Sequence, residues 1–382
     1  MDGLKQASIF NVISQPAPCV ENPDFLKEQI ITYIGNKRAL LDFIGKGLEE
    51  VEKRLGKKKL VIADVFAGSG IVSRYLKRFA RELYTNDLEA YSTCINSCYL
   101  TNHSDVNGDH LAGVLMYLKN EIRNRWEPGF VTELYAPQDD HHIRRGERVF
   151  FTRRNAIYID TARKVIGDLP EAEQKFFLAP LLYGASVHNN TSGVFKGFYK
   201  NYDGIGQFGG HGRNALARIM GEIELQLPVF SAFECKTVVS QLESMDAVKS
   251  FPALDVAYFD PPYNQHPYGS NYFMLNLILE NKRPDSFSKV SGIPDEWNRS
   301  AYNKAKYAKD KLFSVIQECP AKFILISYNS EGLIKYEEFI EFLNSLGKVQ
   351  SLETDYNTFR GSRNLRDRSI KVKEFLFLLE RK

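Results

Sequence analysis

The stretch Leu60-Val61-Ile62-Ala63-Asp64-Val65-Phe66-Ala67-Gly68-Ser69-Gly70, followed by Ile71-Val72-Ser73-Arg74-Tyr75-Leu76-Lys77, decides the fold. Its first half is a short apolar run, the pattern of a strand buried on both faces. Its second half reads as a helix, and the glycines between them permit a tight turn and close approach to a ligand. The third glycine of a dinucleotide fingerprint is replaced by Ser73, which weakens an NAD reading. A second strand, Leu83-Tyr84-Thr85-Asn86, ends at Asp87. An acid about 20 residues beyond such a turn can hold the two hydroxyls of a ribose. Together these features point to an adenosine-containing cofactor at a strand-to-helix crevice. A plain βα turn with a solvated Asp87 is the competing reading.

Further along, the run Val256-Ala257-Tyr258-Phe259 ends in Asp260-Pro261-Pro262-Tyr263. The prolines fix φ and lack N–H donors, leaving the carbonyls of the turn free to accept. Asp260 adds carboxylate oxygens, and Tyr263 adds a flat apolar face. Such a site accepts hydrogen bonds from an NH2 group on a planar ring and stacks that ring. Adenine and cytosine both carry such a group. A strand that merely ends in a proline turn is the bland alternative. A third segment, Tyr33-Ile34-Gly35-Asn36-Lys37-Arg38, precedes an amphipathic stretch from Ala39 to Leu48 and by itself reads only as a loop before a helix.

In this order the three segments resemble the Dam-type adenine-specific DNA methyltransferases over about residues 30–100 and 232–382. The resemblance implies a Rossmann-like α/β fold and S-adenosylmethionine as methyl donor. Phe66 to Gly70 would wrap the methionine half of the cofactor, Asp87 would bind its ribose, and Gly35, Asn36 and Lys37 would complete the pocket. Tyr33 and Asp64 are assigned to the same pocket. One more residue, Ser240, Glu243 or Asp246, would touch the cofactor's adenine. Asp260, Pro261, Pro262 and Tyr263 would carry catalysis by gripping the exocyclic amine of a base flipped out of double-stranded DNA. A cognate restriction endonuclease is a further partner that the resemblance implies.

At 382 residues, 43% of them hydrophobic, the chain can build a large core. No run of 18 apolar residues occurs, so no membrane span is expected. The N-terminus lacks the charged and apolar regions of a secretory signal. The five cysteines are odd in number and scattered, so neither a disulfide framework nor a zinc site is expected. A cytoplasmic location is the expectation. His141 and His142 beside Asp139 and Asp140 do not form a metal site, because adjacent histidines do not readily face one ion.

The short apolar runs Leu60–Val65, Leu83–Asn86, Val256–Phe259 and Phe323–Ser327, separated by helix-length segments, predict a mostly parallel sheet. The runs 349–354 and 375–379 predict a C-terminal antiparallel hairpin at its edge, and the Phe323 strand should lie beside the Asp260 strand. The alternation vanishes between about 101 and 231. The domain reading is therefore residues 1–100 and 232–382 as catalytic domain, with 101–231 as an inserted, mainly helical target-recognition domain. A second insert, about 283–311, is polar and reads as helical, with no assignable role.

The net charge of +3 does not announce nucleic acid. Local charge does. Arg360, Arg363, Arg366 and Arg368 cluster in the hairpin loop, suited to phosphate contacts. The stretch from His188 to Arg213 mixes glycines, amides, aromatics and cations. Lys196 and Lys200 suit phosphates there, and Arg213 or an amide suits a base edge. Three rival readings remain at this point: methylation of cytosine amines or RNA, a DNA-binding relative without turnover, and an NAD enzyme.

Overall fold

The computed structural model describes residues 20–357 and 371–382. Its centre is a seven-stranded sheet in the order β3-β2-β1-β4-β5-β7-β6. The strands are β1 Leu60–Asp64, β2 Ala80–Asn86, β3 Lys236–Ser240, β4 Leu254–Phe259, β5 Ala321–Asn329, β6 Gly347–Asn357 and β7 Lys371–Arg381. The first five pair in parallel, while β7 runs antiparallel to both β5 and β6. The parallel sheet, the β4–β5 neighbourhood and the closing hairpin are those expected from the sequence. β3 is the strand that periodicity does not reveal. It is an edge strand of five residues without an apolar run, and none of its residues is buried.

The helices are α1 Leu41–Leu55, α2 Ile71–Leu76, α3 Ala90–Tyr99, α4 Gly108–Arg125, α5 Phe130–Tyr135, α6 Arg153–Gly167, α7 Glu171–Val187, α8 Leu216–Met220, α9 Ser244–Ser250, α10 Tyr268–Asn271, α11 Phe273–Glu280, α12 Ala305–Glu318 and α13 Tyr336–Leu346. The apolar residues of α1 and α2 meet one face of the sheet through Ile62, Val256, Leu325 and Leu376. Those of α9, α12 and α13 meet the other through Ala63, Ala257, Ile326 and Phe377. Both faces are thus covered, which is why β1 and β4 read as near-continuous apolar runs. Helices α4 to α7 share a continuous core with α3 and α11, built around Tyr91, Tyr99, Ile159, Leu181 and Phe273.

Two parallel neighbours flank β1, with β2 on one side and β4 on the other. The chain leaves β1 toward one side and returns on the other, so the crevice outside the carboxyl ends of β1 and β4 is a topological switch point. That is where ligands bind in open α/β sheets. Asp260 follows the last residue of β4, and the glycine turn follows β1 by the same logic.

The stretch 283–311 differs from its helical expectation. α-Helix begins only at Ala305, after a short 3-10 turn at Ala301–Asn303. Pro284 and Pro294 each remove a backbone donor, and Gly292 sits at φ +73°, which together break the helix.

Candidate active site

A cavity of about 250 Å³ lies at this switch point and gathers residues from all three predicted segments. Tyr33, Gly35, Asn36, Lys37, Phe66, Gly68, Asp87, Asp260 and Pro262 all line it. Asp64, Gly70, Pro261 and Tyr263 are not among its lining residues; Asp64 and Gly70 sit beneath the glycine turn, and Pro261 and Tyr263 flank Pro262 in the chain.

The glycine turn is shaped by backbone geometry. Gly68 and Gly70 hold φ at +53° and +78°, in the left-handed region that favours glycine. The space over each is already filled from within the chain. A Cβ at Gly68 would stand 2.7 Å from the Tyr33 ring, and one at Gly70 would stand 2.6 Å from Asn96 Oδ1. Below the turn, Ser73 Oγ donates to Asp64 Oδ2 at 2.6 Å, and Thr85 Oγ1 donates to Ser73 Oγ at 3.2 Å. Ser73, which stands where a third glycine would be expected, therefore ties α2 to the end of β1. Burial pushes the Asp64 carboxyl up to about 7, against the bond from Ser73 that favours its charged form.

Asp87 closes the same turn from the end of β2. Its Oδ2 accepts from Gly68 N–H at 2.7 Å and its Oδ1 from Glu89 N–H at 2.9 Å. Burial raises its pKa, while these backbone bonds oppose the rise. Glu89, two residues on and the alternative to Asp87 for the ribose role, is a second acid of the cavity. It is buried, and Oε2 accepts from Asn276 Nδ2 at 2.7 Å and Asn298 Nδ2 at 3.3 Å. Desolvation pushes it up to about 7.

Of the residues competing for a cofactor's adenine, only Glu243 lines the cavity, with Leu242 and Ser244 beside it. Ser240 Oγ donates to Asn86 Oδ1 at 2.8 Å, and Asp246 is exposed on α9. Lys311 Nζ lies 3.1 Å from Glu243 Oε2. Tyr302 shares a 2.7 Å hydrogen bond with Ser244 and packs edge-on to Phe66 at 5.2 Å between centroids. The segment 298–303 thus forms one wall of the cavity, a placement that its polar sequence does not betray.

The Asp260 end is organised by an ion-pair cluster. Lys37 Nζ stands 3.1 Å from Asp260 Oδ1 and 2.9 Å from Glu374 Oε1. Lys37 is 3% exposed, so burial alone would lower its pKa. The two carboxylates override that and hold it well above its ordinary value. Burial pushes Asp260 up to about 6 against the pull of Lys37, and Glu374 pushes in the same direction as burial. Lys37 also lies 5.3 Å from the centroid of the Tyr263 ring. Tyr263 packs edge-on to Tyr328, and its carbonyl accepts from Leu333 N–H at 3.1 Å. Among the described residues, no donor reaches the carbonyl of Pro261.

The 33–37 segment is pinned from several directions. Ile34 N–H donates to Tyr272 Oη at 2.7 Å, Tyr268 Oη to the Ile34 carbonyl at 3.1 Å, and Tyr356 Oη to the Asn36 carbonyl at 3.1 Å. Tyr33 stacks on Tyr268 and Tyr272 at 5.0 and 4.7 Å. Gly35, at φ +72°, passes so close to Tyr263 that a Cβ would stand 2.9 Å from its hydroxyl.

Lys196, Lys200 and Arg213 are exposed on the 188–213 stretch. Two amides of that stretch, Asn189 and Asn190, are not free to read bases. Asn190 is fully buried, with Nδ2 donating to the Val149 and Gln207 carbonyls and Oδ1 accepting from Gly209 N–H. Asn189 is likewise buried and donates to the Ser186 carbonyl at 2.6 Å. Arg360, Arg363, Arg366 and Arg368 lie outside the described residues.

A doubly covered parallel sheet, a glycine turn backed by an acid, and Asp-Pro-Pro-Tyr at the adjoining strand end define an amino-group methyltransferase. The family model for D12 class N6 adenine-specific DNA methyltransferases matches residues 33–341. The type II methyltransferase M.CviAII of Paramecium bursaria Chlorella virus 1 is 31% identical over 356 residues, spanning 91% of this chain and 98% of that protein. M.NlaIII of Neisseria lactamica is 28% identical, with 92% and 99% covered. M.FokI of Planomicrobium okeanokoites is 26% identical, and the match covers 52% of its length. The chain belongs to the D12 class N6 adenine-specific DNA methyltransferases, enzymes that use S-adenosylmethionine.

The cavity fits that cofactor by its donor set. The carboxylates of Asp87, Glu89 and Glu243 suit a ligand that carries hydroxyls and positive centres, and the Phe66 and Tyr302 rings suit its flat base.

Proposed function

We propose that the cavity is divided between a cofactor half and a methyl-acceptor half, each held by its own residues. In the cofactor half, Asp87 takes the ribose hydroxyls, the Phe66–Gly70 turn takes the methionine portion, and the Leu242–Ser244 turn with Tyr302 takes the adenine. Asp64 and Gly70 serve this half from beneath, by fixing the turn. When bound, S-adenosylmethionine supplies an electrophilic methyl group on a sulfonium.

In the acceptor half, Asp260 and the Pro261 carbonyl each accept one hydrogen of the adenine N6 amine. That amine is a weak nucleophile because its lone pair is delocalised into the ring. Two acceptors at one strand end draw its hydrogens to one side and direct the lone pair out of the ring plane. Lys37 keeps Asp260 ionised and fixes its orientation. Pro262 stiffens the turn, and Tyr263 supports the ring of the flipped base. Positioning and fixed charge carry the rate, and the target base leaves the duplex to reach them. The observation that carries this reading is the position of Asp260: at the end of β4, on the cavity wall, 3.1 Å from the Lys37 ammonium.

Residues 101–231 are proposed as the target-recognition region, with Lys196, Lys200 and Arg213 on its DNA face. The hairpin-loop arginines are proposed to neutralise phosphates. The type II names of the relatives support a restriction endonuclease as companion in the same cell. No helix among the described residues is long and apolar enough to cross a membrane; a cytoplasmic site of action is proposed, which a DNA substrate supports.

The test is digestion to nucleosides of DNA from cells expressing the chain, followed by mass spectrometry. N6-methyladenine at one sequence context is the expected product. N4-methylcytosine, or label confined to RNA, would refute the reading.

A further inference from the structure

We infer that Glu374 is a positioning residue for methyl transfer: it anchors Lys37, and through Lys37 it fixes the orientation of Asp260. The inference rests on the reading of Asp260 as the acceptor of the amine hydrogen. Glu374 lies in β7, far along the chain from both partners, and only the sheet order brings them together.

The geometry is that of a held cation. Lys37 Nζ lies between Asp260 Oδ1 at 3.1 Å and Glu374 Oε1 at 2.9 Å. The side chain of Glu374 is 1% exposed, and its Oε1 also accepts from Ser327 Oγ at 2.9 Å. Asp260 is 18% exposed and borders the cavity. The cluster therefore has a buried end, held through Glu374 Oε1, and an open end at Asp260 that borders the cavity. A lysine with one carboxylate partner swings on a flexible stem. A second, buried carboxylate fixes the ammonium and so fixes which oxygen of Asp260 it occupies.

A purely structural ion pair would not require this arrangement. Replacing a buried pair by apolar groups is often neutral for stability. Here Glu374 carries an electrostatic cost at the reacting group, because it opposes the ionisation of Asp260 while Lys37 favours it. Among the described residues, the groups that interact electrostatically with Asp260 are Lys37 from the 33–37 segment, Glu374 from β7, Asp64 from β1, Tyr258 from β4 and Tyr356 from β6, with Tyr263 and Tyr268 beside it. Of these, only Lys37 is cationic. On top of burial, which raises the Asp260 pKa most, Lys37 and Glu374 act on its charge in opposite directions.

The experiment is the pH profile of kcat/KM for tritiated methyl transfer to unmethylated genomic DNA, for wild type, E374Q, E374L and K37M, with D260N in parallel. E374Q removes the opposing charge and keeps the shape. Its acid limb should move to lower pH by about 1 unit, with kcat reduced about 10-fold or more through lost orientation. Calorimetric affinity for S-adenosylmethionine should stay within about 2-fold of wild type, since Glu374 lies on the acceptor side. K37M should move the limb to higher pH. E374L, similar in volume and without a polar atom to satisfy, should shift the limb as E374Q does, and supplies the result should E374Q not fold. An unmoved acid limb in the folded glutamate variant overturns the inference. So does a kcat loss accompanied by an equal loss of cofactor affinity. D260N separates the two levels of the argument: turnover retained in D260N sinks the reading of Asp260 itself, whereas an inactive D260N with an unmoved E374Q profile sinks only the role of Glu374.

Discussion

The two halves of the site are built in opposite ways. The ribose and methionine part of the cofactor half is local, although the Leu242–Ser244 turn and Tyr302 join that half from elsewhere in the chain. The turn from Phe66 to Gly70, Asp87 and Glu89 come from one βαβ passage, and the acids are held by neutral donors: backbone N–H groups on Asp87, the amides of Asn276 and Asn298 on Glu89. The acceptor half is assembled from residues 37, 260 and 374, joined by a buried ammonium. A local site can be specified by a short motif, because its geometry follows from one turn. A site assembled across the sheet depends on strand order, and its partners carry no common signature. The local half should therefore tolerate changes in the acceptor half, and the reverse.

The largest expected effect falls in the acceptor half. Asp260→Ala should reduce methyl transfer by about 10³-fold or more, the scale of losing a preorganised electrostatic group. Single-turnover label transfer at saturating cofactor measures it. Residual activity within 10-fold of wild type would merge the two halves into one.

Lys37→Met should cost about 10²-fold in kcat, because it leaves Asp260 and Glu374 as two buried carboxylates without a cation. In the wild type, kcat/KM should fall as pH drops through about 6, where Asp260 takes up a proton. A profile flat down to pH 5 would contradict the assignment of the acceptor.

In the cofactor half, Asp87→Asn should weaken S-adenosylmethionine binding by about 1–3 kcal/mol with kcat at saturation little changed. Gly68→Ala should act on the same half through the backbone. A non-glycine residue in the left-handed region costs about 1–2 kcal/mol, and its Cβ would press on the Tyr33 ring. Calorimetry reads both; an effect on kcat alone would break the division.

The smallest effects belong to stability and to the DNA face. Asp64 and Glu89 are pushed up to about 7, and Asp260 to about 6, from ordinary values near 4. The folded state then holds more protons than the unfolded chain across that window. The relative stability is highest below about pH 4 and is lost as pH rises through about 7. Chemical denaturation across that range, with other carboxylates contributing their own slopes, should show the Glu89 share of this contribution vanish in Glu89→Gln. Lys196→Ala or Lys200→Ala should lower the slope of log affinity against log salt by about 0.9 for each phosphate that the ammonium neutralises. Arg213→Ala should instead relax discrimination at one base position.

What was legible in the sequence follows the same division. The glycine turn, Asp87 and Asp-Pro-Pro-Tyr were readable because each pairs an apolar strand with a constrained turn. β3 was not, because an edge strand with no buried residue leaves no apolar run. The ion pairs of Lys37 were not, because a lysine before a helix reads as solvated until strand order buries it. Glu374 left a faint signal. Val372, Glu374, Leu376 and Leu378 alternate on one face of β7, and all four are buried. A carboxylate at an inward position of such an alternation requires a buried partner, but the sequence does not say which. The role of 298–303 was illegible for another reason: its contribution rests on Tyr302 meeting Phe66 and Ser244, which are distant in the chain.

The central claim, that Asp260 serves the base and Asp87 the cofactor, is tested most directly by calorimetric binding of S-adenosylmethionine to wild type, D260N, D87N and the double variant. D260N should bind within about 0.5 kcal/mol of wild type and the double variant should bind as D87N does, since sites without shared partners add independently. A folded D260N that loses more than about 1 kcal/mol of cofactor affinity, or a double variant that departs from D87N by that much, would contradict it.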